Sequence, residues 1–231
     1  VDLLTLLLES NENGEEGKRL TEEEIISDSF IFLFAGHETS ATNLGHLFCE
    51  LAKNPHIQDK CIEEIDRVLE NGRDFVYEDY YSFQYCRNAI KECLRLHSPT
   101  VAIPKMATKD VEICGYKIPK NTLVWTDVYN VHLDPQNWAD PTSFNPDRFL
   151  STYNLRTFLP FSIGSRQCVG MKFSEVETLT IFVRLLQRYR FELGAGKDPK
   201  TYYPETEQII TVKIKNEELV MKRREDVNSA S

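Results

Sequence analysis

The sequence predicts a mainly α-helical protein with small β-sheets, and three observations carry that reading. A stretch of roughly 33 residues runs without proline from Thr21 to Asn54. Further segments at 55–72, 80–99 and 169–191 carry apolar residues at helical spacing. Alternating and β-branched residues are confined to short runs near 110–131 and 207–224.

Residues 2–9 read as a short helix, and "NENGEEGKR" (11–19) reads as an acidic surface loop. Thr21 and Glu24 then stand in capping-box spacing, which opens the long helix. Its length implies about 50 Å at about 1.5 Å per residue, and its apolar middle predicts a course through the core. "PHIQDKCIEEIDRVLENG" is a second helix, amphipathic and ended by Asn71-Gly72. "YYSFQYCRNAIKECLRLHSP" is a third, stopped by Pro99. "DVEICGYKIPKNTLVWTDVYNVH" predicts a hairpin around Gly115 and Pro119 and a following strand. The proline-rich, aromatic stretch 135–161 shows no clear period. "VGMKFSEVETLTIFVRLLQRYRF" reads as another long amphipathic helix, and "EQIITVKIKNEELVMKRR" as a closing β-hairpin.

A chain of 231 residues can bury a substantial core. Its formal charge of −9 argues against nucleic-acid binding, which needs clustered Lys and Arg. Six cysteines without a Cys-x-x-Cys pair give neither a zinc pattern nor a disulfide framework, and favour a reducing, cytosol-facing environment. No apolar run approaches the ~18 residues of a membrane-spanning helix. The opening "VDLLTLLLES" is short and acidic, unlike a signal peptide. Starting at Val1 inside a helical pattern, the chain reads as a piece of something longer.

Several residues could carry chemistry. Glu92 and Arg95 lie three apart and share a helix face. A surface ion pair is the bland reading; the apolar neighbours Ala89, Ile90 and Leu94 suggest a partly buried face. Arg148 in "FNPDRFL" stands among prolines and aromatics, where it could join Glu92 and Arg95 as a structural clasp. "AGHETS" (35–40) sets Gly36, Glu38 and Thr39 inside the apolar span of the long helix. One reading is a helix crossing with Thr39 bonded back to a carbonyl one turn earlier. The other is a helix thinned for a flat ligand, with an acid and a hydroxyl to deliver protons.

Cys168 lies in a loop between Gly164 and Gly170, just before a helix, with Arg166 two residues upstream. It could be an inert buried thiol. It could be a nucleophile favoured by a helix N-terminus, but His37, His46, His56, His97 and His132 are all distant in sequence and none is framed as its base. As a metal ligand, a lone thiolate fits no zinc site and suits the axial position on a haem iron. Gly164 would then allow a sharp turn, Gly170 a close approach to a porphyrin, and Arg166 a contact to a propionate. Backbone N–H groups at the helix start would tune the sulfur.

These segments, in this order, resemble the cytochrome P-450 superfamily. "FSIGSRQCVG" matches its haem-loop pattern at Phe161, Gly164, Arg166, Cys168 and Gly170. "AGHETS" matches its oxygen-activating helix, "KECLRLHSP" its Glu-x-x-Arg helix, and "FNPDRF" the arginine motif that follows. The resemblance covers essentially all of 1–231 but only the C-terminal half of such a protein, as a partial haem-thiolate domain whose N-terminal half is absent.

The resemblance implies the C-terminal half of the cytochrome P-450 fold and a haem b cofactor with Cys168 as its axial thiolate, which favours O–O cleavage in that family. It implies that Glu38 and Thr39 deliver protons, that Glu92, Arg95 and Arg148 lock the loop region, and that Arg166 binds a propionate. Lys105 departs from the pattern: the family usually has arginine there, and lysine keeps the charge but loses the bidentate fork. Phe30, Phe34, Ala35, Thr100 to Ile103 and Ile209 to Thr211 would face a hydrophobic substrate. The implied activity is a monooxygenase using dioxygen and electrons from an NADPH-dependent reductase. The full-length protein would sit at the cytosolic face of the endoplasmic reticulum, held by a membrane anchor in the missing N-terminal half. Two alternatives stay open: a haem-thiolate isomerase or dehydratase, and an inactive fragment unable to hold haem alone.

Overall fold

The computed structural model describes residues 2–14, 19–208, 211–215 and 219–225. Six α-helices lie among them: α1 (Leu3–Glu12), α2 (Glu22–Lys53), α3 (Pro55–Val68), α4 (Gln84–Leu96), α5 (Val128–Leu133) and α6 (Met171–Leu186). Four two-stranded antiparallel sheets pair β1 (Ala102–Met106) with β4 (Leu123–Asp127) and β2 (Val111–Ile113) with β3 (Tyr116–Ile118). The other two pair β5 (Tyr189–Leu193) with β8 (Leu219–Arg223) and β6 (Thr206–Gln208) with β7 (Val212–Ile214). The predicted class, helices with small sheets, is what the structure shows.

The capping box forms as predicted. Glu24 Oε2 accepts from the Thr21 N–H at 2.7 Å, and Thr21 Oγ1 accepts from the Glu24 N–H at 3.2 Å. The helix it opens, α2, has 32 residues. Its C-terminal half carries Leu47, Phe48 and Leu51 into the core. The middle does not run through the core as expected: Phe30 is 67% exposed and Leu33 74%. Apolar periodicity marks a face that wants cover, and no described element of this chain packs over that face.

The core lies where α2, α3, α4 and α6 meet, around the fully buried Leu47, Leu51, Cys61, Ile65, Cys93 and Phe182. Two polar devices order it. Glu64 on α3 accepts from the N–H groups of Tyr85 and Cys86 at 2.9 and 2.8 Å, placing a carboxylate at the start of α4. The buried amide of Gln58 bonds both backbone groups of Phe191, at 2.9 and 2.7 Å, and so ties β5 to α3.

The β2–β3 hairpin turns on Cys114 and Gly115, both at positive φ (51° and 83°), the geometry of a two-residue primed turn. Cys114 therefore occupies a turn. Several boundaries differ from expectation, and β1 (Ala102–Met106) is a strand outside the expected runs. The third helix starts at Gln84, after a 3-10 turn at Tyr77–Ser82. Residues 128–133 are helical, capped by Asp127, which accepts from the Asn130 N–H at 3.0 Å. The last long helix stops at Leu186, and Tyr189, Phe191 and Leu193 follow strand alternation instead. The tail splits: β6 pairs with β7, while β8 crosses to β5, a long-range pairing that local pattern cannot reveal.

Candidate active site

The spacing of Glu92 and Arg95 sets both on one face of α4, and packing buries them to 0% and 1% exposure. The surface-pair reading therefore fails. Arg95 Nε and Nη2 donate to the two Glu92 oxygens, each at 2.8 Å. Arg148 Nε donates to Glu92 Oε1 at 2.8 Å, and the Asn145 N–H joins at 2.9 Å. The remaining Arg95 hydrogens go to the carbonyls of His132, Pro141 and Ser143. Arg148 similarly reaches the carbonyls of Ala139, Asp140 and Ser143. A buried and a half-buried cation share one carboxylate here because carbonyl oxygens take the surplus donors.

Next to this clasp the chain enters the loop that bears Cys168. Ser162 (φ 63°) and Gly164 (φ 88°) adopt left-handed backbone, which at Gly164 suits only glycine comfortably. The Cys168 N–H donates to the Phe161 carbonyl at 2.9 Å and the Gln167 N–H to that of Gly164 at 3.0 Å, so the loop folds back on itself before α6. The thiol of Cys168 is exposed, whereas Cys49, Cys61, Cys86 and Cys93 are buried. Burial pushes the Cys86 and Cys93 thiols well above the usual range, which makes them inert. At Gly170 a β-carbon would sit 3.9 Å from Cys168 Sγ, ordinary contact, so the protein's own packing does not demand glycine there.

Arg166 and Lys105 are both exposed, the latter opposite Val124 in the β1–β4 pair. Neither has an ion-pair partner among the described residues. Val169 (81% exposed) and Phe173 flank the thiol and are also open to solvent. An exposed thiol, two cations without an ion-pair partner and exposed apolar side chains are residue types that fit a flat, dianionic, iron-bearing cofactor such as haem. They do not fit a tetrahedral metal, and no cluster of His, Cys, Asp or Glu able to hold a metal occurs among the described residues.

On α2, Thr39 Oγ1 donates to the Ala35 carbonyl at 2.7 Å, the back-bonded geometry of the plainer reading. Glu38 Oε1 accepts from Thr211 Oγ1 at 3.0 Å, with Lys213 Nζ at 4.0 Å. Ser40 Oγ donates to Glu177 at 2.8 Å, which brings this stretch against the helix that follows Cys168. Gly36 faces open space. Of the predicted substrate-facing residues, Phe30, Phe34, Ala35 and Thr100 are exposed and Val101, Ala102 and Ile103 half-buried. Ile209 and Ile210 lie outside the described residues, and Thr211 is buried against Glu38 and Thr42 rather than lining an open wall.

Sequence reasoning missed His132. It is fully buried, with Nδ1 3.1 Å from the Arg95 carbonyl and Nε2 accepting from the Leu159 N–H at 2.8 Å. Its only signal was a histidine between two apolar residues, Val131 and Leu133. Also unforeseen is the stacking of His46 on His97, 4.6 Å between ring centres, with His97 bonded to Glu50.

Comparison with known proteins bears on what this arrangement is. The family model "Cytochrome P450" matches residues 1–221. The chain is 37% identical to cytochrome P450 3A29 of Sus scrofa over 198 residues, which is 83% of the chain and 39% of that protein. It is 36% identical to cytochrome P450 3A27 of Oncorhynchus mykiss over 203 residues, 84% of the chain and 39% of the relative. Cytochrome P450 3A12 of Canis lupus familiaris is also 36% identical, over 198 residues. The chain spans about two fifths of the length of these relatives. With a family match running through the clasp, the Cys168 loop and the long helix, the chain belongs to the cytochrome P450 family.

Proposed function

We propose that the full-length protein is a haem-thiolate monooxygenase acting on a hydrophobic organic substrate. The observation that carries the reading is the exposed thiol of Cys168, on a loop with left-handed backbone at Ser162 and Gly164, together with the Glu92–Arg95–Arg148 clasp. Bound haem would activate dioxygen and place one oxygen atom in the substrate, with electrons supplied by an NADPH-dependent reductase.

The chain's own residues would divide the work. Cys168 offers the thiolate to the iron, and the Phe161 carbonyl fixes its backbone. Arg166 and Lys105 supply positive charge for the propionates, and Gly164 and Gly170 keep side chains off the cofactor face. Glu38 and Thr39 would serve proton delivery through a bridging water, because successive residues on a helix do not face each other, with the Thr39 hydroxyl released from the Ala35 carbonyl. The exposed Phe30, Phe34 and Ala35 favour an apolar substrate. A membrane anchor outside this chain would hold the protein at the endoplasmic reticulum; among the described residues no helix is long and apolar enough to cross a membrane.

In the full-length protein, Cys168→Ala should abolish the red-shifted absorbance of the reduced carbon monoxide complex. Thr39→Ala should keep that absorbance while NADPH is oxidised and its electrons reduce dioxygen to hydrogen peroxide instead of forming product. An unchanged spectrum in the first variant would sink the ligand assignment, and fully coupled turnover in the second would sink the proton relay. The open apolar face of α2 favours a second reading for the 231-residue chain by itself, as a piece that does not hold haem unaided.

A further inference from the structure

His132 on α5 has both ring nitrogens engaged, and the partners leave one arrangement of protons. The Arg95 carbonyl can only accept, so Nδ1 carries the hydrogen across 3.1 Å. The Leu159 N–H can only donate, so Nε2 is bare at 2.8 Å. The ring is therefore neutral and locked in one tautomer. Phe158 stacks on it with 5.7 Å between ring centres.

The two sides of that ring belong to different machinery. On one side, Arg95 is bound twice, because its Nη1 also donates to the His132 carbonyl at 2.8 Å. On the other, Leu159 opens the Cys168 loop: its carbonyl accepts from the Ser162 N–H at 3.1 Å. Phe161, inside that turn, holds the Cys168 N–H at 2.9 Å. Leu159 is thus clamped at both backbone groups, at its N–H by a side chain and at its carbonyl by the turn.

We propose that His132 is a positioning residue that couples the Glu92–Arg95–Arg148 clasp to the Cys168 loop, through its bare Nε2 on the Leu159 N–H. This rests on the haem-thiolate reading. A histidine buried merely to fill space would tolerate loss of that one bond so long as its volume remained. A positioning histidine would not: with Leu159 released, the turn shifts and the thiolate is held less firmly.

The test compares His132→Asn with His132→Gln in the haem-loaded full-length protein. An asparagine amide can donate to the Arg95 carbonyl but is too short to reach Leu159. A glutamine can bring its oxygen to the Leu159 N–H. The readouts are the ratio of the red-shifted to the blue-shifted band of the reduced carbon monoxide complex and the thermal midpoint from circular dichroism. The expected result is a ratio near the parent's for His132→Gln and about fivefold lower for His132→Asn, the factor that one neutral hydrogen bond commonly carries. Equal ratios in the two variants overturn the proposal, as does a loss that follows the thermal midpoint alone. A parent protein with no red-shifted band overturns the haem-thiolate reading itself, which separates the two failures.

Discussion

Arg95 carries five N–H donors, and the structure gives each an acceptor: two on Glu92 and three on carbonyls. Lysine has three donors and no fork, so Arg95→Lys would strand buried acceptors around Glu92. The expected loss is about 3–5 kcal/mol, read by chemical denaturation of the haem-free full-length protein. A change below the range of a surface pair would contradict it. Two buried histidines make stability depend on pH. Burial, and for His46 also the neighbouring His97, depresses both His46 and His132 from 6.5 to about 4. A histidine with a depressed folded pKa stabilises fully above its unfolded pKa and loses that contribution as pH falls toward the folded value. Between pH 7 and pH 5 each should cost roughly 2 kcal/mol. His46→Phe should accordingly remove about half of that drop in the urea midpoint, and an unaltered pH profile would contradict the assignment.

Among the elements, α2 is two helices in energetic terms. Residues after Ser40 are packed into the core, while Ile26, Phe30, Ile31, Leu33 and Phe34 lie open. Helical hydrogen bonds alone hold a marginal helix, and packing supplies most of the rest. Hydrogen exchange on the 231-residue chain should therefore show fast exchange at 24–38 and slow exchange at 42–53, because local opening follows the density of buried contacts. Uniform protection along α2 would mean that something covers the open face. Among the other helices, α4 starts later than its sequence suggests and α5 replaces an expected strand, and the end of α6 shows why such boundaries escape local pattern. The apolar period of α6 continues in the sequence through "RYRF", yet Phe191 is buried as a strand residue because Gln58 completes its backbone bonds from α3. That contact joins residues 133 positions apart, beyond any local window.

For the whole molecule, the open α2 face should weaken cofactor binding by this chain alone. The chain holds the thiol, the clasp and the two unpaired cations, but Phe30, Leu33 and Phe34 meet solvent where an apolar wall is expected. Haem titrated into the 231-residue chain should give weak binding without the red-shifted carbon monoxide band. The full-length protein should bind stoichiometrically and show the band. Stoichiometric binding with the band in the short chain would show that this part of the fold suffices.

Pattern in the sequence determined the helices with strong caps and clear periods and the β2–β3 hairpin, and it singled out Cys168, Glu92, Arg95 and Arg148 as candidates. Each depends on neighbours within one or two turns of chain: the Thr21–Glu24 box, the Cys114-Gly115 turn, the three-residue step from Glu92 to Arg95. Only the tertiary structure decided that the clasp is buried around Glu92 with carbonyls taking its surplus donors, where β8 pairs, and that His132 stands between the clasp and the Cys168 loop. Those outcomes depend on burial and on hydrogen bonds between residues far apart in the chain. A buried donor must find an acceptor wherever folding has brought one, and no local sequence pattern records where that will be.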